Sequence, residues 1–330
     1  MKTIEPTEIS VGVVGLGLMG SSIIVSLLKA GHEVIAVAPV AEEAIVAPQR
    51  ILEQISICRD LNLLDDPITT YLEKLTVTED YSRLAGCGIV LECVVEKIEI
   101  KEQVYRKIAE VVGNDTVVAT NTSAIAISTL QKHISHPERF LGIHWAEPAY
   151  ATRFLEITCG QKTYSSYADW IYNLAERWDK EPTLLKKDIH GFITNRLMYA
   201  VCREALNIVE TGQASLDDVD KSFRYDVGSW ISLMGIFRRM DFLGLKDYFE
   251  IFSNTFPVLC NSDKVPEVMQ KLVDTDARGI YNYRGLYNYT AEEAARWEET
   301  FKMFNGEIYF LATLFPSRLP KEVQTVKWPK

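Results

Sequence analysis

The sequence lacks the usual marks of metal, disulfide and membrane proteins. Its six cysteines are scattered through 330 residues with no C-x-x-C pair. Most have apolar neighbours, which reads as reduced, buried thiols in a cytoplasmic protein, not disulfides or zinc ligands. The five histidines form no H-x-x-x-H pair, so no metal site is expected. No uninterrupted apolar stretch is long enough to span a bilayer. The opening MKTIEPTEIS has no apolar core of the kind a signal peptide carries. Positive charge is scarce as well: 35 Lys and Arg against 45 Asp and Glu leave a net charge of -10. Such a balance argues against nucleic acid or an anionic membrane surface as a partner.

What is present begins at VGVVGLGLMGSSIIVSLLKAGHEVIAVAP, Val11 to Pro39. A short β-branched run turns through Gly15-Leu16-Gly17-Leu18-Met19-Gly20, continues as an apolar helix to about Lys29, breaks at Gly31 and re-enters a strand. In a strand–turn–helix–strand unit, G-x-G-x-x-G has a physical meaning. Gly15 allows the tight turn, Gly17 lets the main chain approach a pyrophosphate, and Gly20 lets helix and strand pack closely. The helix N-terminus, with the Leu18 and Met19 amides, then faces the phosphates. A dinucleotide is therefore the expected cofactor. The acidic residue that usually follows, about 20 residues on, is missing: Val37-Ala38-Pro39 stands there. Glu42 or Glu43, at the next helix start, is the alternative acid within reach of the ribose. No arginine precedes Arg50 to suggest a 2′-phosphate pocket, so NAD is expected with NADP left open.

Further along, Gly88 to Cys93 reads as a buried strand with Glu96 beyond its carboxyl end. Lys97 to Val112 reads as an amphipathic helix. Val117 to Thr120 is a strand ending in Asn121-Thr122-Ser123, Phe140 to Ile143 a strand delivering His144, and Phe154 to Thr158 a strand carrying Glu156. This alternation predicts an α/β fold, a doubly wound and mainly parallel sheet. From Ile189 the pattern turns helical. The expected division is a dinucleotide-binding Rossmann domain over 1–188 and an all-helical substrate and dimerisation domain over 189–330.

His144 falls on the sheet edge where α/β folds bind ligands, and Glu156 is a carboxylate in an otherwise apolar strand. A buried carboxylate needs a partner. Were adjacent strands to set the two side by side, Glu156 would orient the imidazole and leave its other nitrogen to exchange a proton with a hydroxyl. A satisfied core histidine with a structural glutamate is the alternative on spacing alone.

These residues together resemble the L-3-hydroxyacyl-CoA dehydrogenase family and its relatives on free hydroxy acids, carnitine dehydrogenase and lambda-crystallin. GLGLMG, the Val90 to Lys101 run V-x-E-C-V-V-E-x-x-x-x-K, Asn121-Thr122-Ser123, Gly142 to His144, Leu155-Glu156-Ile157, GFITNRL at Gly191 to Leu197, LMGIFRRMDFLGL at Leu233 to Leu245 and GLYNY at Gly285 to Tyr289 occur in family order. The resemblance implies that His144 is the catalytic base or acid and Glu156 its orienting partner. It implies that Ser123 and Asn195 bond the substrate oxygen or the catalytic groups. Glu96, Lys101 and Asn121 would serve the nicotinamide side of the cofactor, and Gly15, Gly17 and Gly20 the pyrophosphate. A 3-hydroxyacyl thioester is the implied substrate and a homodimer the implied assembly.

The departures from the family are specific. Ala38 replaces its ribose-binding aspartate. Its H-F-F-N-P reads His144-Trp145-Ala146-Glu147-Pro148 here, which changes the charge of the substrate pocket at Glu147. Arg153 either holds a substrate carboxylate or pairs with Glu147. The Ala41 to Lys74 region, which in acyl-CoA enzymes helps hold CoA, is poor in Lys and Arg. A free 3-hydroxy acid is therefore the rival substrate, and a non-catalytic crystallin-like protein the more distant reading.

Overall fold

In a computed structural model, residues 5–315 are described. The first four and last fifteen positions, including the end of the expected helical domain, lie outside the described residues. The chain divides into two compact units, Met1–Asn195 and Arg196–Lys330.

The first unit is an eight-stranded sheet in the order β3-β2-β1-β4-β5-β6-β7-β8. Strands β1 (Ser10–Val14), β2 (Glu33–Val37), β3 (Leu75–Thr78), β4 (Ile89–Glu92), β5 (Val117–Thr120) and β6 (Phe140–Trp145) are mutually parallel. This is the Rossmann order, with its switch point between β1 and β4. Helices α1 (Leu18–Lys29), α2 (Ala41–Asp60), α3 (Ile68–Leu72), α4 (Ile98–Ala109) and α5 (Ile127–Leu130) connect these strands. Two apolar clusters form the core. One joins α1 and α2 to the central strands; the other includes Val104, Tyr105 and Ile108 of α4. Parallel strands covered on both faces need continuous apolar runs. VGVV and IVLE, fully buried from Val11 to Val14 and from Ile89 to Glu92, have that character. Two buried hydroxyls of α1 are hydrogen-bonded: Ser21 donates to Leu16 O (3.0 Å), and Ser22 accepts from Ala149 N–H (2.7 Å).

At the far side the sheet changes direction. β7 (Phe154–Cys159) runs antiparallel to β6, and β8 (Glu181–Leu185) follows α6 (Ser165–Arg177) to pair parallel with β7. The sequence reading contains no β8. EPTLL includes Pro182, which cannot donate to a ladder and argues against a central strand. The structure tolerates it because β8 is the last strand of the sheet.

The second unit is helical: the rest of α7 (Thr194–Glu210), then α8 (Leu216–Ser222), α9 (Gly228–Leu243, broken at Gly235), α10 (Leu245–Thr255), α11 (Glu267–Asp274) and α12 (Ala291–Leu314). Apart from two isolated bridges at Arg284, it has no strand pairing among the described residues. α7 to α11 bury no residue. No helix among the described residues is long and apolar enough to cross a membrane.

Candidate active site

The glycine turn closes the carboxyl end of β1. Gly15 has φ +97°, and a Cβ there would come within 2.8 Å of the Cys93 carbonyl carbon beyond β4. A Cβ on Gly20 would lie 1.9 Å from Gly15 O, so only glycine lets α1 pack this close. Gly17 differs from both. It caps α1, and a Cβ on it would meet nothing within 4 Å. Open space therefore lies directly before the first N–H groups of α1, with Leu18 exposed beside it. An apolar first turn, unpaired amides and room above Gly17 fit the pyrophosphate of NAD.

On the neighbouring strand, Glu92 ends β4 wholly buried. It accepts from Val94 N–H (2.7 Å), Lys101 Nζ (2.8 and 3.1 Å), and the hydroxyls of Tyr105 and Thr120 (2.8 Å each). Lys101 also pairs with Glu96 at 3.1 Å. Burial alone would depress the Lys101 pKa, but Glu92 and then Glu96 outweigh it and hold it above the ordinary value. The Lys101 side chain is only 1% exposed, whereas that of Glu96 is 42% exposed and accepts the Thr122 hydroxyl. Lys101, expected from the family resemblance at the ribose, lies buried here between Glu92 and the more exposed Glu96, which it supports. Glu92 escaped sequence reading; its one signal was a carboxylate inside the apolar run IVLEC.

The antiparallel register of β6 and β7 sets His144 directly opposite Glu156. His144 Nδ1 lies 3.4 Å from Glu156 Oε2, at the long end of hydrogen bonding. Glu156 has no exposed surface, and its other oxygen accepts Ile193 N–H at 2.8 Å. The imidazole packs between Phe154 and Phe192, with ring centroids 5.5 and 5.9 Å away. With Nδ1 turned toward the carboxylate, Nε2 is the nitrogen left for proton exchange.

The polar residues expected around His144 are tied to the same edge. Asn121 Oδ1 accepts Trp145 N–H (3.0 Å), fixing the residue after His144. Asn195 Nδ2 donates to Ser123 O (2.8 Å), and Ser123 itself is exposed. Asp188 accepts both the amide and the hydroxyl of Ser128 (2.6 and 2.9 Å), which anchors the chain leading to Ile193. Glu147 is exposed by area, yet the surrounding protein displaces enough water to push its carboxyl up to about 7. Arg153 pairs with Asp179 (3.0 Å) and Glu181 (3.3 Å). Those partners replace the Glu147 pairing considered from sequence. Both lie on the last strand or just before it, the element that sequence reading missed.

The turn between the dyad strands is held from behind by two lysines, Lys180 buried and Lys29 half-buried. Lys180 donates to Ala149 O and Thr152 O, and Lys29 to Tyr150 O (3.0 Å). Burial pushes Lys180 down to about 7, and its ammonium sits 5.3 Å from the Trp145 ring centroid.

Comparison with known proteins matches the profile of the 3-hydroxyacyl-CoA dehydrogenase NAD-binding domain to residues 10–189, and that of its C-terminal domain to residues 191–289. The 5-formyl-3-hydroxy-2-methylpyridine 4-carboxylate 5-dehydrogenase of Mesorhizobium japonicum is 33% identical, over 86% of this chain and 92% of its own. A probable 3-hydroxybutyryl-CoA dehydrogenase of Deinococcus radiodurans is 26% identical, over 84% of this chain and 99% of its own. Among solved structures, a 5-formyl-3-hydroxy-2-methylpyridine 4-carboxylic acid 5-dehydrogenase, described as an NAD+-dependent dismutase, superposes with a TM-score of 0.86. It is 29% identical and covers 92% of this chain and 98% of that one.

Proposed function

Because the chain belongs to the 3-hydroxyacyl-CoA dehydrogenase family, whose members are NAD-dependent oxidoreductases of a CH–OH carbon, we propose that its substrate is a small free carboxylate, not a CoA thioester. The charge of the Ala41 to Leu75 region carries this reading. It holds seven acidic residues against three basic ones, Arg50, Arg59 and Lys74. Each of the three already has a partner within the protein: Arg50 on Leu16 O, Arg59 on Asp60 and Lys74 on Gly31 O. The phosphates of CoA would meet repulsion there. The 33% identical relative, whose name specifies a pyridine carboxylate, supports the same class.

In the proposed reaction His144 Nε2 takes the hydroxyl proton of the substrate, while Glu156, held by the Ile193 amide, orients the ring. Ser123 and Asn195 hold the substrate oxygen, and Glu147 lines the substrate side. Gly15, Gly17, Gly20 and the Leu18 and Met19 amides hold the pyrophosphate, with Glu96 and Asn121 on the nicotinamide side. NAD, when bound, accepts the hydride that leaves the same carbon. The chemistry applies to an alcohol or to a hydrated aldehyde, since both present CH–OH. Arg153 is not carried into this reading as a carboxylate anchor, because its guanidinium already engages two carboxylates of the protein.

A homodimer is part of the proposal. Large apolar side chains such as Leu197, Phe237, Phe242, Phe249 and Trp297 are exposed on helices of the second unit. A soluble monomer rarely leaves so much apolar surface uncovered. The test of substrate class is steady-state turnover of acetoacetyl-CoA, acetoacetate and a formylpyridine carboxylate with NADH or NAD. A kcat/KM for a free carboxylate about tenfold or more above the thioester is expected, about 1.4 kcal/mol of transition-state discrimination. The reverse order returns the thioester reading.

A further inference from the structure

The acid missing at Ala38 leaves the adenosine ribose without its usual partner, and the structure supplies a carboxylate from another element. Glu43, in the first turn of α2, reaches back to the glycine turn, where its Oε2 accepts Leu16 N–H at 2.6 Å. The adjacent Gly15 N–H donates to Val37 O, the last residue of β2, at 3.0 Å. The Glu43 carboxylate is thus fixed beside the end of β2, next to the position an acid at residue 38 would occupy. Ala38 itself, apolar and 2% exposed, offers the ribose no acceptor. Glu43 Oε1 has no hydrogen bond among the described residues. Near it, the buried Tyr81 hydroxyl has no partner either; burial and then the Glu43 charge push that phenol up to about 12.

We propose that Glu43 holds the adenosine ribose diol in place of the absent strand-end acid and makes the site selective for NAD over NADP. Oε2 anchors the carboxylate on Leu16, and Oε1 accepts from the ribose hydroxyls. A 2′-phosphate would bring negative charge against that carboxylate. The neighbouring cation that could offset it, Arg50, donates to Leu16 O at 2.8 Å. The inference rests on the NAD reading of the glycine turn and is independent of the substrate class.

The test is fluorescence titration of NADH and NADPH into the wild type, Glu43→Gln and Glu43→Ala, with apo melting curves alongside. Glutamine keeps an oxygen acceptor for the Leu16 amide, so Glu43→Gln separates ribose binding from support of the turn. The wild type is expected to prefer NADH. Glu43→Gln should weaken NADH about tenfold or more, on the scale of a lost charge-assisted hydrogen bond, while NADPH binding holds or improves. A purely structural Glu43 would lower both affinities by the same factor and so overturn the proposal. Unchanged NADH affinity in both variants, or a wild type that prefers NADPH, would overturn it too. In each of these cases nucleotide binding by the wild type leaves the dinucleotide site itself standing.

Discussion

Lys101→Met separates a buried support from a surface ligand, the two roles that structure and sequence assign to the same side chain. In the structure Lys101 bridges Glu92 and Glu96, and its removal strands the wholly buried Glu92 carboxylate. Breaking a buried pair from one side costs about 3–5 kcal/mol. Three donors remain on Glu92, the Val94 amide and the Tyr105 and Thr120 hydroxyls, which places the expected cost near about 3 kcal/mol. For a cooperative unit of this size that corresponds to a fall in Tm of about 6–12 °C. Thermal melts of the apo protein by circular dichroism read the effect with no cofactor involved. Adding Glu92→Gln to Lys101→Met should restore part of the loss by removing the stranded charge. An apo Tm within about 2 °C of wild type, a shift worth under 1 kcal/mol, combined with weakened NADH binding, would refute the burial argument. It would return Lys101 to the ribose.

Other outcomes follow from the same geometry. Gly20→Ala places a Cβ 1.9 Å from Gly15 O, so NADH titration should show about tenfold or greater loss as the turn is forced away from α1. Lys180 has a folded pKa of about 7, below its ordinary 10.5; its contribution to stability is full above pH 10.5 and is lost as pH falls through 7. Denaturant melts across that window should therefore show a shallower pH dependence for Lys180→Met than for wild type. Glu147 has the opposite sign, its carboxyl being raised from 4.5 to about 7; its contribution is full below pH 4.5 and fades as pH rises through 7, a trend that Glu147→Gln should remove. Arg153→Glu should alter KM for a free acid and for a thioester by the same factor, since Asp179 and Glu181 already hold the guanidinium. A selective rise for the free acid would reinstate it as an anchor.

The sequence was most legible where local chain geometry decides the outcome. The glycine turn, the strands from β1 to β6 and the helical second unit all follow from short-range pattern, because glycine packing and continuous apolar runs leave few alternatives. The facing of His144 and Glu156 was legible only as a condition. Both strands could be read, but the antiparallel register that pairs them is a property of the assembled sheet. What escaped depends on tertiary depth. Pro182 disguised β8, and with β8 unseen the partners of Arg153 were invisible. Lys101 sits four residues into an amphipathic helix, where periodicity does not reveal that Glu92 draws its ammonium inward. Ala38 showed that an acid was missing and pointed to Glu42 or Glu43, but only the fold singles out Glu43 by bringing it back onto the glycine turn.

The most direct test of the account is a paired measurement on His144→Ala: steady-state turnover with NADH, and NADH affinity by fluorescence. The account predicts a fall in kcat of about 10² to 10⁴, the range of general acid–base catalysis, with NADH affinity close to wild type. A variant that turns over at a near-normal rate would contradict the assignment of His144 and Glu156 as the proton-handling pair.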